Sequence, residues 1–281
     1  MNSKPFDSSE AIYPTGEVIR IFGKFILNYF TGKNYETNWN HKTQQHKYLN
    51  KRRWLYAYFN HFIVFLSMSN QIAICNTCFG GAAYLAQQQR LINSLRETNA
   101  DKKFFIHSNT YPPASRTHEQ SLYGFKVAAV SEALYAGFQR IVWLDTACIV
   151  HGPLDYLFDE DMPPVVAVKD DTPLIRTISD KALKYYGNPD ITGRYLVGGS
   201  LYAFDFTKDK CAQIYDDWAN AEDDGIFGTA KEQASEQINK HRHDESCLAM
   251  ALYDNGIEPI SHEKARYCSG GNPMVTKKHF K

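Results

Sequence analysis

From residue 71 to residue 168 the chain alternates short apolar runs with stripes of helical period, and few folds accept that order. Gln71-Ile-Ala-Ile-Cys-Asn-Thr-Cys reads as a strand running into the loop Phe79-Gly80-Gly81. Tyr84, Leu85, Leu91, Ile92 and Leu95 recur at helical spacing through Thr98, and Lys103–His107 forms a second strand. Leu122, Phe125, Ala129, Val130, Ala133 and Leu134 stripe a helix within 119–137, with Gly137 as its stop. The apolar run 140–150 follows as a third strand with Asp145 at its centre, then one helical turn at Pro153–Phe158 and a buried strand at Val165–Val168. Strand–helix–strand–helix–strand predicts right-handed crossovers and an α/β class, with a mostly parallel central sheet flanked by helices. Further on, Tyr195–Phe206 is apolar, and Thr207 is placed to cap a helix that buries Cys211, Ile214, Tyr215 and Trp218. The polar stretch Ala219–Lys240 reads as a surface excursion, and Asp244 opens a last helix ended by Asn255-Gly256.

The 281 residues suit one large domain, or one domain with an extension. A hydrophobic share of 43% and an aromatic share of 14% provide a core and exclude a disordered chain. Formal net charge is zero, yet residues 1–70 carry nine Lys/Arg against four Asp/Glu, and residues 71–281 carry 22 against 27. Residues 1–70 are therefore set apart as a basic, aromatic-rich helical extension, with the main domain over 71–281. Within 41–59, basic residues interleave with aromatics. That pattern binds nucleic acid, lies on an anionic membrane surface, or forms a solvated helix packed through Trp54, Tyr58 and Phe62. The most apolar stretch, Trp54–Met68, is 15 residues long and holds Asn60 and His61. A spanning helix takes about 20 apolar residues, so no transmembrane segment is expected. The first residues lack the apolar run of a secretory signal, and six cysteines without regular spacing suit a reducing compartment. A cytoplasmic location is expected. Cys75 and Cys78 have no second Cys-x-x-Cys or His-x-His to complete a metal or redox site, and read as ordinary buried thiols.

Chemistry concentrates at a few positions. A carboxylate at the end of a buried strand needs a cation, a ribose hydroxyl or backbone amides, and the carboxyl ends of strands in open α/β sheets are where ligands bind. Asp145 is either such a ligand contact or a turn residue. Thr77, at the end of the first strand, offers a hydroxyl to a ligand or simply begins a turn. Gly198-Gly199 lets a ligand approach the backbone, or marks a β-bulge. Lys126 is either a surface lysine with a buried stem or an anion contact. Asp244 and Glu245, after His241-Arg242-His243, are either capping residues or a catalytic carboxylate pair.

These segments stand in an order and spacing similar to those of nucleotide-sugar glycosyltransferases of the GT-A (Rossmann-like) fold, and resemble family 8 and its relatives. The carriers are the first strand and its loop, Lys126 on a helix 19 residues before Asp145, Trp143-Leu144-Asp145, Gly198-Gly199-Ser200-Leu-Tyr-Ala-Phe-Asp, and Asp244-Glu245-Ser-Cys-Leu. The resemblance covers about residues 71–281. It implies a hexosyl- or pentosyltransferase that moves a sugar from a nucleotide-sugar donor, UDP-linked, to a hydroxyl on a glycan, lipid, protein or modified nucleic acid such as DNA. It implies that Thr77, Lys126, Asp145, Thr146, Ala147, Gly198, Gly199 and Ser200 hold the donor. Asp244 and Glu245 would bind sugar hydroxyls or supply the base. His279, in Lys277-Lys278-His279-Phe280-Lys281, would join Asp145 in binding Mn2+ or Mg2+, a Lewis acid for the leaving diphosphate, with His262 the second choice. The neighbouring lysines would offset phosphate charge. Such families supply Asp-x-Asp, whereas Ala147 stands at the third position here. Two other readings follow: a catalytically degenerate nucleotide-binding relative, which Ala147 favours, and a nucleotidyltransferase, against which the loop Phe79–Ala83 lacks a cation.

Overall fold

Every residue of Ile72–Cys78 (β1) is buried, as a strand covered on both faces requires. In this computed structural model, which describes residues 71–234, 241–268 and 273–278, β1 pairs in parallel with two strands. These are Lys103–Ser108 (β2) on one side and Arg140–Leu144 (β3) on the other. Beyond β3 the sheet continues through two further strands named here with one outside it: Cys148–Val150 (β4), Val165–Pro173 (β5) and Tyr195–Asp205 (β6). The order is β2-β1-β3-β6-β5, and β6 runs antiparallel to both its neighbours. The other four strands point the same way. The mostly parallel sheet therefore forms, with one reversed strand that the alternation of elements does not specify.

Successive strand residues face opposite sides. Ala73, Cys75, Ile141 and Trp143 join one core, and Ile72, Ile74, Val142 and Leu144 join the other. The described helices are Ala82–Thr98 (α1), Phe125–Tyr135 (α2), Asp180–Tyr185 (α3), Cys211–Asp223 (α4), Ala230–Ala234 (α5) and His243–Asp254 (α6). α1 covers the second core through Leu91 and Leu95; α2, α4 and α6 cover the first.

Several local expectations change. The apolar run 140–150 is two strands rather than one. β3 stops at Leu144, the backbone turns with Cys148 N donating to Asp145 O, and β4 pairs antiparallel with Val275–Lys277 (β7) in a separate two-stranded sheet. Asp145 therefore lies beyond a strand end rather than mid-strand. The helix before it begins at Phe125 and not near 119, because Tyr123 has a left-handed φ of 62° that an α-helix cannot continue through. Gly137, φ 94°, does close that helix: Phe138 N donates to Ala133 O and Gly137 N to Leu134 O. Thr207 does not cap α4. Its N–H and hydroxyl both go to Asp205 Oδ1, and the helix starts at Cys211. Ala219–Lys240 is no surface excursion over its described part, since α4 continues to Asp223 and Ala221, Ile226 and Phe227 are buried. Residues 1–70, with their basic–aromatic stretch, lie outside the described residues, as do 235–240 and His279. No helix among the described residues is long and apolar enough to cross a membrane.

Candidate active site

The carboxyl ends of β1 and β3 are held together by buried amides. Asn76, fully buried in β1, donates from Nδ2 to Leu144 O at 2.8 Å and to Thr146 Oγ1 at 3.5 Å. Gln88 on α1 donates to Asn76 Oδ1 and to His107 O, and Ser108 Oγ donates to Gln88 Oε1. Such a saturated buried network fixes the register of three strand ends. Asp145 emerges from this frame. Its N–H donates to Ser200 O on β6, its Oδ1 accepts from Thr146 N at 2.7 Å, and its side chain is about one-third exposed. Thr77 Oγ1, next to Asn76 in sequence and buried, has no hydrogen-bond partner among the described residues. An unpartnered hydroxyl buried at a strand's carboxyl end is a polar group that the described fold leaves unsatisfied.

A second group centres on Lys126. Its ammonium is buried, donating to Asp244 Oδ2 at 2.7 Å and to Gly199 O at 3.0 Å. Tyr202 on β6 donates its hydroxyl to the same Asp244 oxygen at 3.0 Å. Glu245, the next residue on α6, accepts from Gly199 N at 3.1 Å and from Arg242 Nε at 2.8 Å. Gly199 is thus clasped through both backbone groups. A Cβ there would lie 2.5 Å from Glu245 Oε1 and 2.8 Å from Lys126 Nζ, so close approach requires glycine. Gly198, by contrast, has room for a Cβ, with Val168 O as its nearest neighbour at 3.8 Å.

Three carboxylates act on the Lys126 ammonium. Burial works against the Lys126 ammonium, but Asp244, Glu245 and Asp145 outweigh it and raise its pKa. Burial also raises the Asp244 pKa, with Glu245 adding to it against the pull of Lys126 and Tyr202. For Asp244 burial is the chief cause, whereas the lysine keeps its proton because of the carboxylates around it. Asp244 is 2% exposed and committed to Lys126 and Tyr202, whereas the Glu245 side chain keeps 14% exposure. Neither caps α6: the N-cap is Arg242, without a side-chain cap.

The structure thus brings Lys126, Asp244, Glu245 and Gly199 into contact, and ties Asp145 to Ser200 and Thr146. Ala147 is buried and offers only its carbonyl, which accepts from Arg90 Nη2 and from Lys278 N. Lys277 Nζ lies 3.8 Å from Asp145 Oδ2. Among the described residues no three His, Cys, Asp or Glu side chains gather as a metal-ligand set. Of the two residues expected to bind a divalent cation, Asp145 lies beside the Lys277 ammonium with Ala147 two residues on, and His279 lies outside the described residues. His262 is occupied by Tyr267 O through Nδ1. Cys75 and Cys78 are free thiols, and burial pushes both up in pKa. Sequence reasoning passed over Asn76 and Tyr202. Asn76 carries a signal, an amide inside an apolar strand; Tyr202 carries none, since aromatic strand residues are commonplace.

No protein-family model matches the chain, and no curated protein matches it in sequence. Solved structures align with part of it. A glycosyltransferase involved in glycosylation of the major capsid of PBCV-1 is 12% identical, with TM-score 0.46 over 75% of this chain and 96% of that one. The glycosyltransferase GlyE of Streptococcus pneumoniae is 14% identical, with TM-score 0.44 over 75% of this chain. The match spans 55% of the length of GlyE. Mouse xyloside xylosyltransferase 1 is 10% identical, with TM-score 0.42 over 74% of this chain and 97% of the mouse protein.

Proposed function

We propose that this chain is a GT-A-type glycosyltransferase that transfers a sugar from a nucleotide-sugar donor, UDP-linked, to an acceptor hydroxyl. The observation that carries the reading is the juxtaposition, at the carboxyl end of the sheet, of an accessible carboxylate (Asp145) with a glycine clasped by Lys126 and Glu245. The donor's nucleoside lies over the ends of β1 and β3, where Thr77 and Asp145 offer a hydroxyl and a carboxylate to base and ribose. Lys277, paired loosely with Asp145, supplies positive charge to the diphosphate. Gly199 lets Glu245 and Lys126 sit against β6. Glu245 accepts the hydrogen bond of a sugar hydroxyl, and takes its proton when that hydroxyl is the attacking one. Lys126, Asp244 and Tyr202 hold that surface in place. The metal pair implied by resemblance includes His279, outside the described residues, and no step here is routed through a cation.

The test is a thermal-shift panel of nucleoside diphosphates with and without manganese. Saturation at a hundredfold excess over Kd stabilises by about 2.7 kcal/mol. UDP is expected to raise Tm and the other diphosphates to raise it less. A shift with UDP but no hydrolysis of UDP-sugars would leave the degenerate nucleotide-binding reading that Ala147 favours, and no shift with any diphosphate would overturn both.

A further inference from the structure

Tyr123 is large, partly apolar and 39% exposed, yet it holds a left-handed φ of 62°. That conformation is strained for a tyrosine, and such strain gathers where a side chain is held for use. His243 is also left-handed, φ 46°, and its ring stacks on Tyr123 at 5.7 Å and 28°. His118 packs edge-on at 4.9 Å, and its Nδ1 accepts from Tyr123 N. His243 is itself anchored through Nδ1 to Phe227 O. The Tyr123 ring is therefore wedged by its neighbours with part of its surface open. Its hydroxyl has no hydrogen-bond partner among the described residues.

We infer that Tyr123 is the platform of an acceptor subsite for a pyranose ring, with Glu245 and Arg242 as its polar partners; this rests on the glycosyltransferase reading. A pyranose presents a face of C–H groups rimmed by hydroxyls. The open part of an aromatic ring takes the first, and a carboxylate and a guanidinium take the second. Geometry ties the ring to the charged cluster: the Lys126 ammonium lies 5.2 Å from the Tyr123 ring centroid, and the stacked His243 directly follows Arg242 at the start of α6.

Saturation-transfer difference NMR tests this, with methyl β-glucopyranoside, methyl β-galactopyranoside and methyl β-xylopyranoside as probes and UDP at saturation. Transfer to the ring C–H protons of at least one probe is expected in the wild type and in Tyr123→Phe. It is expected to fall roughly tenfold in Tyr123→Gly, which removes the ring at a φ that glycine adopts freely. The circular-dichroism spectrum checks that the variant is folded, and Tyr123→Leu serves in its place if it is not. No transfer from any probe to the wild type, or undiminished transfer in the folded ring-less variant, overturns the subsite. Wild-type protein that binds a pyranoside but no nucleoside diphosphate overturns the glycosyltransferase reading instead.

Discussion

Asp145 accepts a hydrogen bond from its own neighbour's N–H, which an amide oxygen does equally well. Asp145→Asn therefore keeps the turn while removing the charge assigned to the proposed donor site. Transfer from UDP-sugar is expected to fall by about 100-fold or more, with Tm unchanged, in paired steady-state and melting measurements. Gly199→Ala acts differently, since its methyl displaces Glu245 or Lys126 from a packed charge cluster. A loss of about 1–3 kcal/mol in urea unfolding, together with loss of turnover, is expected. Lys126→Met leaves Asp244 buried and unpaired, and is expected to cost about 3–5 kcal/mol. The double variant Lys126→Met/Asp244→Leu should recover most of that stability without recovering activity. If the double variant were no more stable than the single, the cluster would not be an ion pair in the folded protein. Of these residues, Asp145 and Gly199 declare themselves in sequence by type and placement. That Lys126 points inward, and that Asp244 serves it while Glu245 stays accessible, depends on contacts across 118 residues.

At the scale of elements, the loop entering α6 is pinned to the start of α3 by a neutral imidazole. His241 Nδ1 accepts from Ser179 N, and the ring's other nitrogen donates to Ile226 O. Ser179 in turn caps α3, accepting from Ala182 N. Burial, aided by the nearby His243, pushes the His241 pKa down to about 3. Between that value and the ordinary histidine range the unfolded chain binds a proton that the folded chain refuses, so stability falls as pH drops. The limiting slope is about 1.4 kcal/mol per pH unit. Urea midpoints at pH 7 and pH 5 are expected to differ in that direction, and His241→Asn should narrow the difference. Equal narrowing by an exposed-histidine variant such as His151→Asn would remove His241 as the cause. The helix stripes and the Gly137 and Asn255-Gly256 stops were legible because period and backbone chemistry are local signals. The starts of α2 and α4 were not, because Tyr123 and Lys210 take left-handed conformations that neither residue type advertises.

Across the whole molecule, the described chain end folds back to the first half of the domain. β7 lies on β4, Lys278 N donates to Ala147 O, and Arg90 on α1 bonds both Ala147 O and Lys278 O. Removing residues 273–281 would expose β4 and withdraw Lys277 from Asp145. A fall in Tm and a loss of UDP binding are expected together, whereas Lys277→Ala should weaken UDP roughly tenfold at nearly unchanged Tm. Titration calorimetry beside the melts separates the two effects, and unaltered UDP affinity in Lys277→Ala would sink the diphosphate role. The sequence by itself determined the α/β class, the order of strands and helices as far as β3, and the segment in which a lone carboxylate interrupts an apolar run. Those follow from burial period and turn chemistry, which are written within a few residues of where they act. Tertiary structure alone decided that β6 runs backwards between β3 and β5, that the 140–150 run splits between two sheets, and that Lys126, Gly199, Asp244 and Glu245 meet. Such pairings join distant segments, and a buried charge or a reversed strand is settled only by which partner the rest of the fold delivers to it.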